Sequence, residues 1–326
     1  MKGQQAGVSV VYVTHRVTPR FDWFADSLAA QSDNGDVEVI FVDGLHDPER
    51  HRQLTAAVAG RFRFRHVPPK PTPYNGPFRR TCRDFFAAAS ARNTGIVHAT
   101  RPYVAFVDDA SVLIPGWWRA VQEAARNGHV VAGAYQKHWE MCVVNGRLQG
   151  SRVEPSGIDS RWAQGDDRKS VPIQGAQLFG ASFGAPRDLL LEVNGFDELC
   201  DSIGGEDWQL GARLEFAGAG IRYARSMLTV ESEELHRQGP SMERIDRPAD
   251  PGRYVRRLAD FGVSRRVVEG AWDSSHMLLD IAYGLRSPQP MGNYYFLPDL
   301  RESNLADTVR RFPDRHWFDG RALEDL

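Results

Sequence analysis

The sequence predicts an α/β fold in which a mostly parallel central sheet is flanked by helices. Three observations carry this. Short apolar, β-branched runs recur along the chain, as expected for strands buried on both faces. The first of them alternate strictly with helical patterns, the mark of parallel pairing through right-handed crossovers. Polar residues gather where these strands end, which is where open sheets of this kind bind ligands.

The first strand is "VSVVYV", Val8 to Val13, halted by Thr14, His15 and Arg16. In "DWFADSLAAQ" the residues Trp23, Phe24 and Leu28 fall at helical spacing. A second strand, "VEVIFVDG", runs from Val37 to Gly44 and carries Asp43 near its end. Asp47 as N-cap, Pro48 at the first helical position and Gly60 as stop frame the next helix. "RFRFRHV" is the third strand. A proline-rich loop, Pro68 to Phe78, offers Tyr74 as a lid residue, and a helix covers much of "CRDFFAAASARNTGIVHAT".

The next strand ends in Asp108-Asp109 and leads to the helix "GWWRAVQEAARNG". Of its two tryptophans, Trp117 and Trp118, one is expected in the core and the other open to solvent. "HVVAGAYQ" is a strand, and residues 140–172 read as a polar surface excursion. "GAQLFGASFGAPRDLLLEVNGFD" gives strand then helix. "GGEDWQLGARLEFAG" gives a helix with Leu210, Leu214 and Ala217 as its apolar stripe and Gly218 as its stop, and "GIRYARSMLTV" is the last strand. From Gly239 the pattern changes to a loop and mixed short helices. Residues 1–240 are therefore expected to form one domain that carries the site. Residues 241–326, too apolar for a disordered tail, are expected to pack on it, either bordering the substrate site or serving only as a structural brace or oligomer contact.

The composition narrows the function. With 40 Lys plus Arg against 42 Asp plus Glu, the net charge is -2, which gives no electrostatic case for nucleic acid or a membrane surface as main partner. The segment after Gly239 holds 13 Arg and 14 Asp plus Glu, so it adds no basic footprint. Cys82, Cys142 and Cys200 are scattered, without the spacing of a disulfide framework or a zinc site. The opening run is too short for a secretory signal, no apolar run reaches a membrane span, and a cytoplasmic location is expected.

The chemistry sits at the strand ends. There is no GxGxxG after the first strand and no GxxxxGK[ST] anywhere, which disfavours a dinucleotide-dependent dehydrogenase and a P-loop phosphotransferase. A phosphorylated ligand would then need a divalent metal held by carboxylates, and Asp108-Asp109 is the natural pair. Adjacent carboxylates repel unless a cation lies near them, although a solvated turn would also use them. Glu206 and Asp207 open a helix directly after Gly204-Gly205. Helix capping explains one such carboxylate. Two of them, with Asp207 three residues before Leu210 and so turned toward the protein, suggest a site. Trp208, beside the acidic pair, could stack on a ligand ring or pack inside.

In order along the chain, "VVYVTHR", "VIFVDG", "ARNTGIVHA", "YVAFVDDASVLIPGWW" and "FGASFGAPRDLLLEVNGFDE...GGEDWQLGARLEFAGAGI" resemble the GT-A fold, family-2-like glycosyltransferases. The last segment also resembles the C-terminal catalytic module of the β-1,4-galactosyltransferases, with its NGF and GGED elements. The resemblance spans residues 8–240. It implies a GT-A, Rossmann-like sheet and transfer of a sugar from a nucleotide diphosphate sugar, UDP-linked by expectation, to an acceptor hydroxyl with inversion. Thr14, Arg16 and Asp43 would face base and ribose, with His15 and Asp108 also on the donor side and Arg92 near the diphosphate. Asp108, Asp109 and His236 would hold Mn²⁺ or Mg²⁺; Asp207 would be the catalytic base and Glu206 would orient the acceptor. That acceptor is a glycan or another hydroxyl-bearing molecule, a modified nucleobase included. Ala110 departs from the family, standing where many members carry the last Asp of the metal motif. Two other readings stay open on the residues alone: a nucleotidyltransferase-like enzyme, which would release pyrophosphate, and a non-catalytic nucleotide-sugar-binding protein.

Overall fold

The computed structural model describes residues 6–32, 37–58, 60–69, 87–197 and 205–238. Most of the proline-rich loop with Tyr74, as well as Gly204, Cys82, Cys200 and the extension 241–326, lie outside the described residues. The element order is β1 (Val8–Thr14), α1 (Phe21–Ala29), β2 (Val37–Asp43), α2 (Pro48–Val58), β3 (Arg63–Val67), α3 (Ala88–His98), β4 (Tyr103–Asp108), β5 (Ser111–Leu113), α4 (Trp117–Asn127), β6 (Val130–Val144), β7 (Arg147–Ile158), β8 (Val171–Pro172), β9 (Ser182–Pro186), α5 (Arg187–Glu192), α6 (Glu206–Phe216), β10 (Ile221–Ser232) and α7 (Glu233–Gln238).

These strands form one sheet in the order β3-β2-β1-β4-β9-β6-β10-β5, with β7 paired to β6 and β8 to β10. β3, β2, β1 and β4 pair in parallel. β9 runs antiparallel to both β4 and β6, and β10 is again parallel to β6. Six strands of the main path therefore share one direction, and the α/β expectation with its mostly parallel sheet holds. All seven residues of β1 and of β2 are buried, because helices cover both faces. On one face, Phe24 and Leu28 of α1 and Trp117 and Val121 of α4 pack on Tyr12 and Phe41. On the other, Ile96 of α3, Leu190 of α5 and Leu210 and Leu214 of α6 pack on Val11 and Phe106.

Local signals explain most boundaries. Asp47 caps α2 by accepting from the backbone N–H of Glu49 (2.8 Å) and of Arg50 (3.0 Å). Gly218, with φ 89°, ends α6. Three expectations are corrected. Residues 140–172 are not a surface excursion throughout, since β6 and β7 form a long hairpin over 130–158. Its turn is Asn145-Gly146, with φ 49° and 68°, as a type I′ turn demands. Trp117 and Trp118 are both buried, because Trp117 inserts under the sheet and donates from Nε1 to Ser182 Oγ (2.9 Å), while Trp118 lies beside it with rings 6.5 Å apart. Ala217 is exposed; α6 ends at Phe216, so only Leu210 and Leu214 form the inward stripe.

Trp117 fills the space between α4 and β9 and holds a buried hydroxyl. Trp117→Ala should therefore cost about 3–5 kcal/mol through the cavity it leaves, read as a lowered midpoint in chemical denaturation. A midpoint unchanged within error would mean that this residue does not anchor α4.

Candidate active site

The carboxyl ends of β1 and β4, the end of β10 and the N-terminus of α6 converge on a cleft of about 410 Å³. Its walls bring together Arg16, Arg92, Asp108, Asp109, Glu206, Asp207 and His236. Thr14 joins them through a hydrogen bond described below. His15 and Asp43 do not line the cleft.

Arg92, on α3, is 4% exposed. Its Nη2 donates to Asp108 Oδ1 (2.7 Å) and its Nη1 to Glu206 Oε1 (2.6 Å), and its guanidinium lies 5.5 Å from the Phe196 ring. Burial works against its charge, but Asp108, Glu206 and Asp207 outweigh this and hold it protonated. One side chain thus ties the end of β4 to the start of α6. Gly180 makes room for it: a Cβ there would stand 2.8 Å from Arg92 Nη2.

The two adjacent aspartates differ. Asp109 accepts from Thr14 Oγ1 at Oδ2 (2.6 Å) and from Arg16 Nε at Oδ1 (3.0 Å). Burial raises its pKa, with Arg16 and Thr14 opposing. Arg16 also donates from Nη1 to the carbonyl of Leu235 (2.7 Å), so Asp109 helps close the rim between β1 and α7. Asp108 is more open, with one third of its side chain exposed, and its Oδ2 meets no hydrogen-bond donor among the described residues. Ala110 has φ 56° and is buried; its N–H donates to the carbonyl of Pro19 (2.9 Å) and its carbonyl accepts from Ser232 N–H (3.1 Å).

Across the cleft lie groups that sequence reasoning missed. Glu231, on β10, is in register with Ser111 of β5 and Lys137 of β6. Burial, followed by the charge of Asp108, pushes its carboxyl up to about 8, and its Oε1 is buried without a hydrogen-bond partner. Lys137 Nζ donates to His236 Nε2 (2.7 Å). Burial and Lys137 lower the pKa of His236, which favours the neutral imidazole. The rule that found Asp43 and Asp108, an acid at a strand end, also applies to "TVES", where Glu231 sits.

Asp207 faces the same space from α6. Its Oδ2 accepts from Gly180 N–H (2.7 Å) and its Oδ1 from Trp208 N–H (2.8 Å). Burial, then the neighbouring charge of Glu206, push its pKa up to about 6, against the pull of Arg92 and the two amides. The helix N-terminus thus does not keep this carboxyl in the ordinary range. Gly205 has φ 88°, and a Cβ on it would come within 2.5 Å of Trp208 Nε1. Glycine there lets the indole fold back over the chain.

Asp43 is wholly buried. It accepts from Arg50 and from Leu45 N–H (2.9 Å), and lies 3.0 Å from His66 Nε2. Burial would raise its pKa, but the bonds from His66 and Arg50 lower it. Arg50 also donates to the carbonyls of Arg16 and Val17 (both 2.8 Å). His15 is buried against Gly44, where a Cβ would overlap its ring. Both residues support the cleft from behind.

The donor set fits a hard divalent cation in part. Asp108 Oδ2 and Glu231 Oε1 are oxygens left without hydrogen-bond donors among the described residues, the atoms such a cation takes. Asp109 has both oxygens committed, and Asp108, Asp109 and His236 do not converge as a trio within 4.8 Å.

Comparison with known proteins places this geometry. Among solved structures, that of S. aureus TarS 1-349 in complex with UDP-GlcNAc is similar, with TM-score 0.51 and 14% identity over 77% of this chain and 64% of that one. A second, TarS 1-349 in complex with UDP, gives TM-score 0.50 and 15% identity over 69% and 60%. The chain therefore spans less than two thirds of these neighbours, and the likeness is one of fold. No curated protein matches the sequence. No helix among the described residues is long and apolar enough to cross a membrane. The model of the family "Glycosyl transferase family 2" matches residues 9–179, from β1 to the residue before Gly180, and the chain belongs to that family.

Proposed function

We propose that this chain moves a sugar from a nucleoside diphosphate sugar, of the UDP class, to an acceptor hydroxyl with inversion, assisted by a divalent cation. The observation that carries this is the placement of Asp207 in one cleft with Asp108, Glu231 and Arg92. The neighbours' UDP and UDP-GlcNAc support the nucleotide class, and the NGF and GGED elements support a likeness to β-1,4-galactosyltransferases in the segment beyond the family match.

Asp207 is the general base. Two amides fix its carboxylate, and a pKa of about 6 leaves it ionised at neutral pH yet basic enough to take a hydroxyl proton. Glu206 is bound to Arg92 and so serves to orient rather than to attack. With Asp207 as base, the hydroxyl would displace the nucleotide directly, which would invert the anomeric centre. On the donor side, Asp108 and Glu231 would hold the cation, Glu231 standing in for the acid that Ala110 lacks; His236 would have to move to join them, since these three do not converge within 4.8 Å either. A bound Mn²⁺ or Mg²⁺ would supply Lewis-acid charge there for the departing diphosphate. Arg16 and Lys137 add positive charge to the same wall. Thr14, His15, Asp43 and Arg50 set the position of Arg16. The acceptor is a saccharide or another hydroxyl-bearing molecule, and residues 241–326 are proposed to border it.

Asp207→Asn should lower kcat on the order of 10²–10⁴-fold while calorimetry finds donor affinity nearly unchanged. Near-normal turnover would remove Asp207 from the chemistry. The wild-type rate should fall as pH drops through about 6, because protonation silences the base, and it should level off above. UDP-sugar affinity measured with Mn²⁺ and after thorough chelation should differ by at least tenfold; equal affinity would contradict the cation's role. Glu231→Gln should weaken the Mn²⁺-dependent part alone.

A further inference from the structure

Behind the cleft, three imidazoles gather. His46 lies in the turn after β2, His51 in the first half of α2, and His66 on β3. One ligand nitrogen from each falls within 4.8 Å of the others. The rings of His46 and His66 are 4.4 Å apart, and those of His51 and His66 are 5.5 Å apart and nearly parallel. None of the three lines the cleft.

His66 is built as a ligand. Its side chain is fully covered, shut in by Phe41 at 5.2 Å. Its Nε2 is 3.0 Å from Asp43 Oδ2, which makes Nε2 the protonated nitrogen and leaves the lone pair on Nδ1. That Nδ1 is buried and has no hydrogen-bond partner. A buried imidazole nitrogen without a partner is costly, and a carboxylate on the opposite nitrogen is the usual support of a metal-bound histidine. Asp43 is itself held by Arg50 and by the Leu45 amide, so Arg50's charge is taken up within the unit. Asp47, at the N-cap of α2, is the other acid beside the cluster.

We propose that His46, His51 and His66 bind one late first-row transition-metal ion of the Zn²⁺ class, separate from the catalytic cation. Three nitrogen donors select such an ion over Mg²⁺ or Mn²⁺. Zinc–nitrogen bonds of about 2.0–2.1 Å need the donors well inside this 4.8 Å limit. His51 is exposed and His46 half-buried, so on the proposal their side chains turn toward the fixed His66. The fourth position opens to solvent and takes water. Bound there, the ion clips the β2–α2 turn and α2 to β3. It thereby steadies the Asp43–Arg50 unit that holds the carbonyls of Arg16 and Val17 at the cleft rim.

The test is Co²⁺ titration of the full chain, followed by visible ligand-field absorption, in an Asp108→Asn background that weakens the catalytic cation. One equivalent should give the intense bands of a four- or five-coordinate site, displaced by Zn²⁺ but not by Mg²⁺. His46→Gln and His51→Gln, outside the buried core, should each weaken Co²⁺ at least tenfold, and Asp43→Asn on the order of 10–100-fold. The full chain with Zn²⁺ should also melt at a higher temperature, and the His46→Gln, His51→Gln double variant should not gain. A correctly folded chain without these bands, or a double variant that keeps full affinity, would overturn the assignment.

Discussion

The site depends on one buried ion-pair network, Arg92 between Asp108 and Glu206. A guanidinium that is 4% exposed cannot stay charged without partners, and carboxylates at 2.6 and 2.7 Å provide them. Removing one member of such a network leaves an uncompensated buried charge, at a cost of about 3–5 kcal/mol. The planar fork also fixes direction, which a lysine at this position would not do. Because Asp108 ends β4 and Glu206 begins α6, Arg92 sets the distance between these two walls of the cleft. Asp207, one residue further, inherits its place from this pairing.

The same network sorts the carboxylates by task. Asp109 and Glu206 are tied to Arg16 and Arg92 and act as structure. Asp108 keeps an oxygen toward the cleft. Glu231 and Asp207 are pushed up to about 8 and about 6, because burial and like-charged neighbours outweigh the nearby cations and, for Asp207, its two amide hydrogen bonds. Carboxylates with such different environments in one cleft suit the proposed division between a base and a cation-binding group. Gly180 serves both sides, since its missing Cβ admits Arg92 and its N–H holds Asp207.

Much of this was legible in the chain itself. The β-branched runs gave β1, β2 and β4, since a strand covered on both faces admits little else, and Asp47-Pro48 placed the start of α2. The acids at strand ends led to Asp108 and Asp109, and the double acid after glycine led to Asp207. What stayed hidden depends on long-range contact. Nothing local says that Arg92 would reach Glu206, 114 positions away, or that Asp43 would turn inward to Arg50 and His66. Glu231 was masked by its ordinary strand context, and the β6–β7 hairpin by its polar residues, although Asn145-Gly146 marks the turn. The three histidines, at irregular spacing, meet only once β2 and β3 pair.

The account stands on what leaves the cleft. The most direct measurement is identification of the products formed by the wild-type chain from UDP-sugars and from nucleoside triphosphates with sugar phosphates, each with Mn²⁺ present. The account predicts UDP released from a UDP-sugar, slowly to water and faster with an acceptor, and no pyrophosphate from any triphosphate. Pyrophosphate release, or donor binding without any turnover, would contradict it.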